Sequence, residues 1–584
     1  MSTALDVESQ EVASETAWFS SMTSCFDSLR PRATPSTLRE ADVELAALEA
    51  MQTHVYRHIV MARTRRNTLI PACSLPAELL SYIFKLVRPH WKPQRRRAWP
   101  LPYYAGWMSL THVCSLWRRI ILDDPTLWCY IDCNDIPCAA IDTILQRSRG
   151  QPLHINVDFE GNRGPDHDQN SWTWMSKPLR PAIQSLNVRV KDMLLDALLP
   201  LEMPRLEELT IHDFGMLPAA YLLAASSEVF PRLRRLDLYR TIPSWTSPLF
   251  SSTLTHLKIA TMGGDAQFPS RSLSVPNALR ILSRLPNLLH LELRNVFAAM
   301  ASDADEGLPS YTAPIRLKSV RLIFRYGMAV ECVAGFLQAS TFSVSTSIVV
   351  QLEECARRDT VHAAVQGLFR DMNYAPQAMQ LVLGHNLLQL WPWQHSELAF
   401  TPVVDPHEDS LDMTIPGLRS IQVWDCARTR FNPDSDDSVE DATLFLPHLP
   451  RGVISSIALL RELELPASAS AWISTFEGFL GIQHACIGIN SHFPSFCAGL
   501  QETSSDSRFL LFPRLEAITL GRWGDSPKEK QQAHSRVWSL VAALETRLSA
   551  EIPVRVVCLP REAESLDSET WIRLRQLAEV SYFD

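Results

Sequence analysis

Phe230-Pro231-Arg232-Leu233-Arg234-Arg235-Leu236-Asp237-Leu238 has the form Pro-x-Leu-x-x-Leu-x-Leu, and the chain repeats it. Met203-Pro204-Arg205-Leu206-Glu207-Glu208-Leu209-Thr210-Ile211 is a second copy. Leu285-Pro286-Asn287-Leu288-Leu289-His290-Leu291-Glu292-Leu293 is a third, and Phe512-Pro513-Arg514-Leu515-Glu516-Ala517-Ile518-Thr519-Leu520 a fourth. Looser copies end at Val188, Ile259, Leu322, Val423 and Leu465. An alternating Leu-x-Leu run is a short strand with its leucines on one face. One strand cannot bury that face alone, but stacked parallel strands close a continuous core. The x residues then point to the opposite face.

The central apolar residue of successive copies falls at 186, 209, 236, 257, 291 and 320. The gaps of 23, 27, 21, 34 and 29 average about 27, within the leucine-rich-repeat range of roughly 20–29 apart from one long outlier. Outer helices read at 191–199, 219–229 and 278–285. Between 327 and 395 the repeat blurs, with strands at 348–352 and 379–383 whose register is open. The polar, acidic stretch 432–441 reads as a rim insertion, 553–557 as the last strand and 567–580 as a capping helix. Residues 131–584 are thus expected to form an α/β leucine-rich-repeat solenoid, parallel strands inside and helices outside.

Composition excludes several function classes. Glycine is 20 of 584 residues, about 3% against a usual share of roughly 7%. Phosphate-cradling loops need glycine for close backbone approach. The sequence contains no Walker loop, Gly-x-Ser-x-Gly elbow or His-Glu-x-x-His motif. A 46% hydrophobic share is that of a folded chain. The net charge of −9 gives no electrostatic case for nucleic acid. No apolar run approaches the roughly 18–20 residues that span a bilayer. The first residues carry Asp6, Glu8, Glu11 and Glu15, the opposite of a signal peptide. The 12 scattered cysteines then read as reduced core thiols of a cytoplasmic or nuclear protein.

Residues 1–33 are polar and aperiodic, and are expected to be a disordered tail. Residues 34–70 hold one helix, entered through a capping box with Thr37 at the N-cap and Glu40 three residues on. Leu38, Ala41, Leu45, Leu48, Gln52, Val55, Ile59 and Ala62 follow at three/four spacing and end in a basic turn. A helix packed on the next domain is the leading reading; a coiled-coil seam is the other. Residues 71–130 are helical, with Leu79, Ile83, Leu86 and Val87 as one apolar face. A second helix carries Trp107, Leu110, Val113, Cys114, Trp117, Ile120 and Ile121. Asp123-Asp124-Pro125 stops it, and Leu127-Trp128 begins something extended.

Residues 75–128 resemble the F-box motif, in Leu75-Pro76, Glu78-Leu79, Ile83-Phe84, Val113-Cys114-Ser115-Leu116-Trp117-Arg118 and Pro125-Thr126-Leu127-Trp128. With a helix before and leucine-rich repeats after, the chain is similar to the F-box-like proteins of mushroom-forming fungi. Its loop 88–106 is longer than that family's usual spacing. The resemblance implies a substrate-recognition subunit of a ubiquitin ligase, with the F-box bound to a Skp-type adaptor and through it to a cullin scaffold. Leu75, Pro76, Leu79, Ile83, Phe84, Val113, Leu116 and Trp117 would face the adaptor, and Ile120 and Trp128 would be core. The repeats would bind a target protein. No catalytic residue, cofactor or metal is implied. A repeat scaffold without a ligase role is the alternative.

The x positions supply the expected target surface: Glu208, Thr210, Arg235, Asp237, Tyr239, His256, Lys258, His290, Glu292, Arg294, Ser319, Arg321, Gln422, Trp424, Glu462 and Glu464. Tyr239, Arg235, His290, Arg294 and Trp424 are the strongest candidates, since aromatics and arginine dominate binding hot spots. Mixed signs favour a protein over a phosphate backbone. Cys129, Cys133 and Cys138 with His112, and His484, Cys486, His492 and Cys497, lack zinc spacing. The acidic run at 434–441 lacks the EF-hand glycine and closing glutamate. Lys92, Arg95, Arg96 and Arg97 read as an exposed basic loop.

Overall fold

The computed structural model describes residues 20, 24, 37–93, 104–133, 135–159, 172–176, 179–190, 202–213, 230–240, 247, 249–261, 273–297, 309–324, 328–353, 358–375, 377–384, 387–393, 415–424, 442–460, 466–521, 527–561, 563 and 568–583. Nearly all of the tail, the basic loop beyond Pro93, the outer helices at 191–199 and 219–229, the acidic stretch 432–441, and Glu462 and Glu464 lie outside them. The chain forms two compact units. One comprises residues up to 129 with 140–151, the other residues 130–139 with 152–584.

The first unit is helical: α1 (Leu38–Thr68), α2 (Ala77–His90), α3 (Ser115–Asp123) and α4 (Ile141–Ser148), with tight 3-10 turns at Pro71–Cys73, Gly106–His112 and Pro125–Trp128. Thr37 caps α1 by accepting from the Glu40 N–H at 3.3 Å. No residue of α1 is buried, so the expectation that it packs on the next domain fails. The single helix expected from Trp107 to Ile121 is broken at Val113 and Cys114, where Cys114 turns extended and its Sγ accepts from the Trp117 N–H. Leu127-Trp128 ends a tight turn rather than beginning a strand.

The core of this unit is aromatic. Phe84 meets Trp117 edge to face at 5.2 Å, and Trp107 meets Trp128 at 5.1 Å. The Trp128 indole donates to the Ile121 carbonyl at 2.8 Å, and the Arg147 guanidinium covers its ring at 4.3 Å. Trp107 enters through Gly106, whose φ is +54°. A Cβ there would lie 2.4 Å from the Lys92 carbonyl carbon, so only glycine fits. Asp124 ties α2 to the turn that follows α3. It accepts from Ser81, from Lys85 Nζ at 3.1 Å and from the Thr126 N–H at 3.0 Å. Burial pushes its carboxyl up, but these donors outweigh burial and hold it below its ordinary value.

Among the described residues the second unit is α/β, built on a mostly parallel sheet of 17 strands. Strands β1 (Tyr130–Asp132), β2 (Leu153–Asp158), β3 (Ile183–Val190), β4 (Glu208–Asp213), β5 (Arg235–Tyr239), β6 (His256–Ala260) and β7 (His290–Arg294) pair in sequence order. The two-residue strand β8 (Tyr311–Thr312) pairs separately with β10 (Ser340–Thr341), and β7 continues to β9 (Ser319–Phe324) and β11 (Ser347–Glu353). The register aligns Leu186, Leu209, Leu236, Leu257, Leu291, Val320 and Ile348 into one buried column. Each side chain stabilises the fold by roughly 1.5–3 kcal/mol, an upper estimate.

The repeated proline has a local role. In each of the four close copies the first leucine's N–H donates to the carbonyl three residues earlier: Leu206 to Met203, Leu233 to Phe230, Leu288 to Leu285 and Leu515 to Phe512. Pro204, Pro231, Pro286 and Pro513 occupy the second position of these turns, where the fixed φ of proline is favoured. Each turn redirects the chain into its strand.

Where the repeat blurs, the order changes. After β11 the next strand in space is β14 (Arg419–Trp424), then β13 (Leu387–Pro392), then β12 (Met379–Leu383). The β12–β13 hairpin inserts two antiparallel pairings into the otherwise parallel sheet. Beyond β12 the sheet resumes through β15 (Ile454–Leu459), β16 (His484–Ile487), β17 (Ala517–Leu520), β18 (Val556–Pro560) and β19 (Glu579–Phe583). The expected last strand lies slightly later than read, at Val556–Pro560. The expected capping helix spans Ser568–Leu577 and leads into β19, so a strand follows it.

Asp124→Ala is expected to cost about 1.5–3 kcal/mol in urea unfolding followed by tryptophan fluorescence, because it strips charged hydrogen bonds. The carboxyl is held low in the folded state, so its stabilisation is full above the unfolded-state value and lost as pH falls through the folded one. The gap between wild type and variant therefore closes in acid.

Candidate functional site

Two surfaces carry the residues singled out by sequence, one in each unit. In the helical unit, α2 presents Leu79 at 50% exposure, Tyr82 at 60%, Ile83 at 39% and Leu86 at 53%. Their spacing of three, four and seven puts them on one helix face. Val113 is exposed, Pro76 is exposed, and Leu75, Leu116 and Trp117 are half-buried. Phe84 is the correction. It is fully buried with Leu80 in the aromatic core and faces away from solvent. Trp128 is core, as expected. Leu86, named from sequence in the apolar face, and Tyr82, not singled out there, extend the surface beyond the expected adaptor contacts; the signal for Tyr82 was the same helical spacing.

In the α/β unit the x residues form rows across consecutive strands. Glu208, Arg235, His256, His290 and Ser319 are one row, and Thr210, Asp237, Lys258, Glu292 and Arg321 the next. His212 and Tyr239 begin a third and stack at 4.3 Å, nearly parallel. The His256 and His290 rings stack at 4.5 Å, and His290 Nδ1 lies 2.8 Å from the Ser319 hydroxyl. His212 was not singled out by sequence, although it follows Ile211 as Tyr239 follows Leu238. Its pKa is lowered by burial and by the charge of Arg189.

The charges are layered. Asp237 and Glu292 are buried, although both belong to the x positions expected to supply the target surface. Arg235 Nε bonds Asp237 at 3.0 Å, while Lys258 and Arg294 both reach Glu292 Oε1 at 3.0 Å. The cationic side chains are more exposed than the carboxylates they pair with. Lys258 also lies 5.5 Å from the centre of the Tyr239 ring. Tyr239, Arg235, His290 and Arg294 are thus brought together on β5 and β7, which are two strand spacings, about 10 Å, apart. Trp424 is not brought to them. It ends β14, three strands beyond β7, and its side chain lies outside the described residues. The assembled face offers guanidinium and ammonium donors beside aromatic rings.

Beyond β9 the same face is covered. Val382, Trp391, Leu418, Ala458 and Cys486 form an apolar cluster, with Val349, Ile415 and Leu460 packed against it. Beside it runs a buried hydrogen-bonded line. The Trp391 indole donates to Gln380 at 2.8 Å and Gln380 donates to Ser456 at 3.1 Å. Ser456 and Thr519 hold the two nitrogens of His484 at 2.8 Å each, and Trp393 stacks on its ring. Cys129, Cys133, Cys486 and Cys497 are buried free thiols. Burial pushes Cys133, Cys486 and Cys497 up. Among the described residues no helix is long and apolar enough to cross a membrane.

A scan against protein-family models finds no match to this chain, and a search of curated proteins finds none either.

Burial pushes the Asp237 carboxyl above its ordinary value, against the pull of Arg235 and Lys258 and with a further push from Glu292. Its contribution to stability is therefore full below the unfolded-state value and lost as pH rises through the folded one. Carbon-13 NMR of aspartate-labelled protein is expected to show a raised midpoint for Asp237, and Arg235→Gln is expected to raise it further. A midpoint at or below the ordinary carboxylate value contradicts the layered arrangement.

Proposed function

We propose that this protein is the substrate-recognition subunit of a Skp–cullin–F-box type ubiquitin ligase, acting in the cytoplasm or nucleus. The observation that carries the reading is the apolar face of α2. A helix normally turns its apolar stripe inward, yet Leu79, Tyr82, Ile83 and Leu86 stay exposed while Leu80 and Phe84 fill the core. A solvent-facing stripe of this kind matches a docking surface for a Skp-type adaptor, and it begins just after the Leu75-Pro76 entry that resembles an F-box. Burying several large side chains there supplies roughly 1.5–3 kcal/mol each before association costs.

In this reading the α/β unit is a leucine-rich-repeat solenoid. The rows from β4 to β9 form its target face, with Tyr239, Arg235, His290 and Arg294 as the central contacts. The chain performs no chemistry itself. It holds the target near a charged ubiquitin donor and raises its effective concentration there.

Co-expression of the full-length chain with a Skp-type adaptor tests the reading. A stable complex is expected with wild type and is expected to be lost in Leu79→Asp/Ile83→Asp. Both residues are at least 39% exposed, so the thermal midpoint of the double variant should stay within a few degrees of wild type. No complex with wild type, or an undiminished complex with the variant, leaves a scaffold without a ligase role.

A further inference from the structure

Helix α1 is 31 residues long, about 47 Å, and buries none of them. Its seam alternates Leu38, Leu45, Gln52 and Ile59 with Ala41, Leu48, Val55 and Ala62, the spacing of a two-stranded coiled coil. Leu38 is 81% exposed, and Leu45, Leu48 and Ile59 lie between 42% and 55%. Helices in proteins draw most of their stability from packing an apolar face, so a seam this exposed needs an occupant. Val43, Val60 and Met61 are exposed but lie off the seam.

Charge says what the occupant is. Residues 38–50 carry Glu40, Asp42, Glu44 and Glu49 against Arg39 alone. Residues 51–68 carry Arg57, Arg63, Arg65 and Arg66 and no acid. A parallel pair of such helices sets like charge against like at both ends, with Glu44 and Glu49 at the flanking positions that face each other. An antiparallel pair sets each acidic half against a basic half. Volume agrees. Antiparallel pairing centred near Ala50 places Leu38 opposite Ala62 and Ile59 opposite Ala41, large against small. Parallel pairing stacks alanine on alanine and leaves voids.

We propose that α1 binds α1 of a second copy of this chain as an antiparallel two-helix coiled coil. The proposal is independent of the ligase reading. The two chains then leave the pair at opposite ends, about 45 Å apart, and the assembly presents two copies of everything downstream.

Light scattering after size exclusion, on the full-length chain over a concentration series, is expected to show a dimer. Leu45→Glu/Leu48→Glu is expected to be monomeric. A charge-swapped chain keeps the seam and so remains informative if that variant misfolds. It combines Glu40→Arg, Asp42→Arg, Glu44→Arg and Glu49→Arg with Arg57→Glu, Arg63→Glu, Arg65→Glu and Arg66→Glu. In the antiparallel arrangement it is expected to form homodimers, and, mixed with differently tagged wild type, to form no heterodimer, because like halves would meet. A wild-type monomer at every concentration, or a dimer unaffected by Leu45→Glu/Leu48→Glu, overturns the proposal. A heterodimer of wild type with the swapped chain overturns the antiparallel orientation.

Discussion

The α/β unit depends on register. Side chains alternate across each strand, so a one-residue slip would carry a whole set of leucines from the core face to the other face. The aligned column from Leu186 to Ile348 holds β3 to β7, β9 and β11 in place. The same alignment dictates the polar face. Asp237, Lys258, Glu292 and Arg321 fall side by side with alternating sign because their flanking leucines are fixed. Opposite charges directly across strands stabilise a sheet, and like charges would weaken it. The acids can then be buried beneath the cations, since each carboxylate meets one or two partners at 3.0 Å.

That order fails in a definite place. Strand β14 aligns Arg419 with Ile348, on the core side. The guanidinium is fully buried and donates to the Ser343 carbonyl at 2.9 Å and to the Thr346 carbonyl, and burial brings its pKa down to about 10. A cation in a leucine column is tolerable only with such acceptors. Arg547, on the helix Pro527–Ser549, is also fully buried and donates to the carbonyls of Leu500, Leu511 and Phe512. Around β12–β16 the x positions are buried, apolar at Val382, Ala458 and Cys486 and hydrogen-bonded at Gln380, Ser456 and His484, and the face closes over. The polar rows from β4 to β9 lie on the strands before this change.

Much of this was legible. The Pro-x-Leu-x-x-Leu-x-Leu copies gave parallel strands because turn, period and apolar face are written in adjacent residues. Residues 327–410 were not, because β12 and β13 are buried on both faces and an apolar run has no readable alternation. The inversion of β12, β13 and β14 is also non-local, set by which strand edge each segment finds. The burial of Asp237 and Glu292 was hidden for a similar reason. An acidic residue reads as solvated until its cations, two residues along the same strand for Asp237 and on both its own and the neighbouring strand for Glu292, are seen to fold over it.

The helical unit shows where periodicity stops deciding. Helix α2 carries two apolar stripes, Leu80 with Phe84 and Leu79 with Ile83 and Leu86, about one residue apart around the axis. Either could face inward on spacing alone. The choice falls to partners: Phe84 has the Trp117 ring to pack against, and Ser81 and Lys85, on the stripe beside it, have Asp124 to bond. Asp124 in turn is fixed by the Pro125–Trp128 turn it caps, which delivers Trp128 to Trp107. The orientation of α2 is therefore set by residues some forty positions downstream. The exposed leucines follow from it, because once Leu80 and Phe84 are inside, the neighbouring stripe has nowhere in the unit to go.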